Sequence, residues 1–160
     1  MNSQPATENR ELTTENGPLA TQPNVQQAVP FFMVSSMEAS LRFYVEGLGF
    51  QRTRQWIVDN KIRWCWLELG GAAIMLQEYN SNSPLRNEKL GNGVSVCFQC
   101  RDAIAIYHET RTRHLDPRRP FVGNNMWVTI LTDPDGYILD FESPTTVPEE
   151  TIYDENAPTT

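Results

Sequence analysis

Thr132–Glu142 reads TDPDGYILDFE, with four carboxylates (Asp133, Asp135, Asp140 and Glu142) inside ten residues. Its first half has turn chemistry. Pro134 presets φ, Gly136 takes the position that needs conformational freedom, and the Asp side chains can accept from nearby amides. A calcium loop would place its glycine at the sixth position, and here it stands at the fourth. The second half alternates as a strand, which puts Ile138, Asp140 and Glu142 on one face. The stretch therefore predicts a turn that feeds a strand with two acids on one side.

Working outward, a second strand precedes this one in NMWVTIL, and RRPFVG precedes that. RDAIAIYHETRTRH reads as a helix with Asp102 as N-cap, and Arg111, Arg113 and His114 suit the negative end of its dipole. GVSVCFQC ahead of it reads as a strand. The second half of the chain is thus β-α-β-β-β. The first half has the same order. AVPFFMV is a strand, and SSMEASLRFYVEGLGF is a helix with capping-box spacing at Ser35 and Glu38. Met37, Leu41, Tyr44, Val45 and Leu48 recur on one face of that helix. QRTRQWIVD, IRWCWLEL and AAIMLQEY then read as three strands, joined by turns at Asn60–Lys61 and Gly70–Gly71. Val29 and Ser95 hold equivalent places 66 residues apart. A repeat of this size suggests duplicated modules whose open sheets pair around a shared cleft.

The remainder is polar. Residues 1–27 are rich in Thr, Gln, Asn and Pro and lack a secretory apolar run. They read as a tail. Residues 80–92 read as a linker, and residues 145–160 as an acidic tail in which Ile152 and Tyr153 could dock. The modules are expected at about 28–79 and 93–144, within one domain.

The net charge of −7 is concentrated at the ends, and the middle carries 12 basic against 13 acidic residues. With no basic stripe, nucleic acid is not an expected partner. No stretch reaches transmembrane length, so no membrane partner is expected and cytoplasm is the default. Three cysteines argue against a disulfide framework. In CFQC, Cys97 and Cys100 point to opposite faces of a strand and cannot jointly grip a metal. They read as two small packed residues. His108 and His114 are six apart, on different helix faces, and read as surface residues. No Ser-His-Asp or Cys-His set follows from spacing.

Three stretches, SMEASLRFYVEGLGF, GGAAIMLQE and DPDGYILDF, together with the duplication, resemble the vicinal oxygen chelate superfamily. That group includes glyoxalase I, extradiol dioxygenases, and fosfomycin- and bleomycin-resistance proteins. The resemblance spans roughly Ala28 to Pro144. It implies an α+β fold of two βαβββ modules forming a cleft-bearing mixed sheet. It also implies where metal ligands would stand: Val29, Ser95, Met75 and Asp140. Val and Met offer no hard donor there, and Ser is a poor substitute for imidazole. The expectation is therefore no metal and no cofactor.

AVP at Ala28–Pro30, the FY…LGF pattern and Trp127 before the last turn resemble the bleomycin-resistance branch. The resemblance implies a homodimer that binds a small aromatic, cationic molecule and does no chemistry. Alternation and this resemblance nominate Phe31, Met33, Trp64, Trp66, Met75, Ser95, Trp127, Asp140 and Glu142 as ligand-binding residues, with no catalytic or metal-binding residues. Cys97, Gln99, Ala73, Gln77 and Ile138 share the faces of these strand residues. Two other readings are a metal-dependent lyase or dioxygenase with atypical ligands, which bound metal would reveal, and a degenerate interaction module, which a filled cleft would reveal.

Overall fold

A computed structural model describes residues 24–79, 83 and 90–156. The expected N-terminal tail lies outside the described residues up to 23, and the expected linker lies outside them over 80–82 and 84–89. The element order is β1 (Phe31–Val34), α1 (Met37–Leu41), β2 (Gln51–Val58), β3 (Lys61–Leu69), β4 (Ala72–Glu78), β5 (Ser95–Gln99), α2 (Ala103–Thr112), β6 (Phe121–Gly123), β7 (Met126–Thr132) and β8 (Ile138–Pro144). Each half is βαβββ. The first half makes one mixed sheet, β1-β4-β3-β2, and the second makes another, β5-β8-β7-β6. The duplication is in register. Phe31 pairs with Met75 in one module and Cys97 with Asp140 in the other, each across a parallel pair.

Local chemistry explains the elements. Asp102 caps α2 by accepting from Ala105 N at 2.9 Å. In α1 the cap is Ser36, 66 residues before Asp102, which accepts from Ala39 N at 3.3 Å. The capping box expected at Ser35 does not form. Ser35 N donates to Asp135 instead, and Glu38 pairs with Arg42. Beyond Leu41 the helix widens into a π-helical stretch, Arg42–Gly47. That widening lets adjacent Phe43 and Tyr44 both bury. The first hairpin turns at Asp59–Asn60, one residue earlier than expected, because Val58 pairs with Lys61. Both turn residues have positive φ, as do Asn124 and Asn125 in the equivalent hairpin of the second module. Two-residue turns of this kind match strand twist and favour Asn and Asp.

The faces of both sheets that meet the helices share one core. It includes Phe32, Val34, Leu67, Ile74 and Leu76 from the first module and Phe98, Leu131, Leu139 and Phe141 from the second. The rings of Phe50 and Phe98 lie 6.0 Å apart across the boundary.

The Asp133–Tyr137 turn is a second joint. Asp133 accepts from Asp135 N at 2.9 Å and Tyr137 N at 2.8 Å, as turn chemistry requires. Its other oxygen accepts from the buried Tyr44 hydroxyl of the first module at 3.0 Å. Tyr137 stacks on Phe32 at 4.1 Å and donates to the Met33 carbonyl at 3.2 Å. Gly91 packs so tightly here that a Cβ would sit 1.8 Å from the Gly136 carbonyl. Gly136 itself has φ +93°, which suits glycine alone.

The segment after Pro144, read from composition as a polar tail, is tied to the second sheet as far as Tyr153. Ile152 bridges Phe121, and Tyr153 N donates to the Pro120 carbonyl at 2.8 Å. Among the described residues, no helix is long and apolar enough to cross a membrane.

Candidate functional site

With the helix-facing sides joined in one core, the opposite faces of both sheets are left uncovered among the described residues. Register arranges their side chains in rows. On the first sheet, Phe31, Met75, Trp66 and Arg54 form one row across β1, β4, β3 and β2. Met33, Gln77, Trp64 and Trp56 form the next. Phe31 is 49% exposed and Trp56 58%, while Met33, Trp64, Trp66 and Met75 are half-buried. The flanks of the first row are polar. The Arg54 guanidinium sits 5.1 Å from the centre of the Trp66 ring system, and Trp66 Nε1 donates to Glu68 at 2.7 Å.

The second sheet has the same rows with different chemistry. Cys97, Asp140 and Ile130 form one, and Gln99, Glu142, Val128 and Phe121 the other. Gln99 Nε2 donates to Glu142 at 2.7 Å. The Cys97 thiol faces Asp140 Oδ2 at 3.9 Å. Asp140 Oδ1 is buried without a hydrogen-bond partner among the described residues. Ser95 is exposed at the start of the strand, opposite Ile138. Cys97 is exposed too, against the expectation of a packed residue, because an odd position on β5 points away from the core. Local burial of its sulfur pushes the Cys97 thiol up, and the carboxylates of Glu142 and Asp140 add to the shift. A thiol held protonated is a poor nucleophile.

The nominated residues therefore sort into groups. Phe31, Met33, Trp64, Trp66 and Met75 come together on the first face. Ser95, Asp140 and Glu142 come together on the second. Trp127 joins neither. It shares the helix-facing side of β7 with Thr129 and Leu131, and its ring meets Tyr153 edge-on at 6.0 Å. Alternation from Asp140 through the β7–β8 register places Val128 and Ile130, not Trp127, on the uncovered face. Arg54 was missed by sequence reasoning. Register shifts between Arg52 and Arg54 and between Trp56 and Ile57 break simple alternation along β2, so only strand pairing assigns Arg54 to the Trp66 row.

The metal positions of the superfamily do not fit a metal here. Met75 lies in an apolar row beside Phe31, and Asp140 is neighboured by a thiol and Ile130. Among the described residues, no three His, Cys, Asp or Glu side chains converge as a ligand set. His108 hydrogen-bonds Tyr153 on the far side of the second sheet, and His114 is exposed at the end of α2. What the two faces offer is stacking area on one and negative charge on the other.

No curated protein matches the chain. Among solved structures, a bleomycin-binding protein complexed with bleomycin is 19% identical, with a TM-score of 0.59, covering 74% of this chain and 98% of that one. A bleomycin resistance determinant encoded on the transposon Tn5 is 18% identical, with a TM-score of 0.59, covering 77% and 100%. TnmS3, an antibiotic binding protein from Streptomyces sp. CB03234, is 20% identical, with a TM-score of 0.56, covering 75% and 98%. At these identities the likeness establishes the fold. The family model for the Glyoxalase/Bleomycin resistance protein/Dioxygenase superfamily matches residues 25–141, and with the two in-register βαβββ modules this makes the chain a member of that superfamily.

Proposed function

We propose that the protein binds and sequesters a small aromatic, cationic molecule without transforming it, in the manner of the bleomycin-resistance branch. The observation that carries this reading is the uncovered indole-rich face of the first sheet, where Trp64 and Trp66 stand beside Met33, Met75 and Phe31. A flat π-system gains dispersion and quadrupole attraction from such a surface, and a positive charge on it gains more. The acids of the second sheet, Asp140 and Glu142, suit the cationic end of the same ligand. Among the described residues each face is uncovered, and a homodimer in which the aromatic face of one protomer meets the acidic face of its partner would enclose the ligand. Antibiotic binding by proteins of the same fold supports this reading.

The test is a tryptophan-fluorescence titration with bleomycin and with planar cationic dyes, alongside sedimentation to determine the oligomeric state. Saturable quenching that Trp66→Ala weakens by about tenfold or more supports the proposal. A folded, dimeric protein quenched by none of these probes would sink it. A lyase or dioxygenase with atypical ligands gains no support from Val29, Met75 and Ser95. Elemental analysis that found about one tightly bound divalent ion per chain would overturn that judgement.

A further inference from the structure

β6 is the outermost strand of the second sheet and only three residues long. A free sheet edge is a row of unpaired amides and carbonyls that invites another strand. In this chain the invitation is answered from within. Glu150 N donates to the Val122 carbonyl at 3.0 Å, Val122 N to the Thr151 carbonyl at 2.8 Å, and Tyr153 N to the Pro120 carbonyl at 2.8 Å. Side chains supply the specificity. Glu149 accepts from the backbone amides of Asn124 and Asn125 at 3.0 and 2.6 Å, at the tip of the β6–β7 turn. The Tyr153 ring stands edge-on to Trp127, Tyr107 and His108, and its hydroxyl meets His108 Nε2 at 3.0 Å. Glu155 accepts from the Tyr107 hydroxyl and from Arg111.

Three features mark this segment as a bound peptide and not as a continuation of β8. Pro144 and Pro148 flank the lead-in and contribute no amide to a ladder. Glu150 is held at φ +63°, a left-handed conformation uncommon for a non-glycine residue, which breaks a continuous strand. The aliphatic side chain of the segment's ladder residue, Ile152, is left 61% exposed. Contacts of this kind open well below the free energy of global unfolding.

We propose that the outer edge of β6, with the Trp127–Tyr107–His108 ring box behind it, is a strand-docking site. It recognises an extended peptide of the form Glu-x-x-x-Tyr-x-Glu and is filled by the chain's own Glu149–Glu155 as a detachable strap. The proposal is independent of the ligand-binding reading above, because the strap's Tyr153 and Glu155 make their contacts on the helix-facing side of the second sheet, against Trp127, Tyr107 and Arg111.

Hydrogen exchange on the full chain tests it. The amides of Val122, Glu150 and Tyr153 should exchange together, at least about tenfold faster than those of Leu131 and Leu139 in the core strands. Tyr153→Ala and Glu155→Gln should speed the first group and leave the second unchanged. Exchange of both groups at one common rate, or variants that accelerate both equally, would overturn the proposal. As a second measurement, a protease site inserted after Thr146 of the full chain allows the folded protein to be cut. The released segment should co-elute at high concentration and dissociate on dilution, and a synthetic peptide of residues 147–160 should rebind. The same peptide with Tyr153→Ala should bind about tenfold more weakly or worse. A folded body that never rebinds the peptide would refute the docking site.

Discussion

At Asp133 one carboxylate accepts from two amides of its own turn and from a hydroxyl 89 residues away. Removing it by Asp133→Ala leaves the Tyr44 hydroxyl and the two amides short of partners, which should cost about 3 kcal/mol in urea denaturation. Tyr44→Phe should cost about 1 kcal/mol. Burial pushes the Asp133 carboxyl above its ordinary value, outweighing the bonds from the Tyr137 amide, the Tyr44 hydroxyl and the Asp135 amide that lower it. The sign follows: folding favours the protonated form. Its contribution is complete below the unfolded value of about 3.9 and declines as pH rises through the higher folded value. Wild type should therefore lose stability relative to Asp133→Asn as pH rises from about 4, measured as the difference in urea midpoint. Cys97 gives a second residue-level expectation. Its thiol is raised by local burial, then by Glu142 and Asp140. Glu142→Gln should lower it and speed alkylation of Cys97 by iodoacetamide near pH 8, followed by peptide mass analysis. An unchanged rate would mean that the carboxylate does not govern the thiol.

The elements are positioned by turns more than by strand propensity. Asp59–Asn60 and Asn124–Asn125 turn both hairpins with positive φ. In a folded chain Asn60→Gly should be neutral or slightly stabilising, whereas Asn60→Val should cost about 1 kcal/mol, because a β-branched side chain resists the left-handed region. Thermal denaturation of the two variants separates these outcomes. At this scale most of the architecture was legible in the sequence. The order of strands and helices, the turn role of Asp133 and Asp135, the N-cap at Asp102 and the shared face of Trp64 and Trp66 all follow from period, capping and turn chemistry. One misreading had its cause outside the element. The α1 cap moved from Ser35 to Ser36 because Ser35 N is taken by Asp135 of the other module, a contact no local pattern encodes.

At the scale of the molecule, two sheets joined through their helix-facing sides leave one aromatic and one acidic face uncovered among the described residues. If those faces meet between protomers around a cationic ligand, affinity should fall with salt, since partly exposed carboxylates are screened. Stacking on the indoles should be less sensitive. Titrations at about 0.05 and 0.5 M salt, with wild type and with Asp140→Asn, should show a steeper salt dependence in wild type. Equal slopes would remove Asp140 from the site. This is also the scale at which the candidate site was least legible. Trp127 lies near the final turn in sequence but on the far side of its strand, against the C-terminal strap.

The duplication, the element order, the Asp-Pro-Asp-Gly turn and the residue types at Val29, Met75 and Ser95, which are not metal donors, are readable from the chain alone. These depend on residue chemistry and on spacing within an element. Packing and strand pairing set which faces stay open among the described residues, that Asp133 joins the modules, that Arg54 stands over Trp66, and that the acidic C-terminal segment closes a sheet edge. Each of those depends on register between strands or on contacts between residues far apart in the chain, and a short polar strap carries too little hydrophobic pattern to announce its partner. The acidic stretch Thr132–Glu142 contains both cases: its turn can be read directly, but the side chain that Asp133 reaches, Tyr44, is set by the packing of one module on the other.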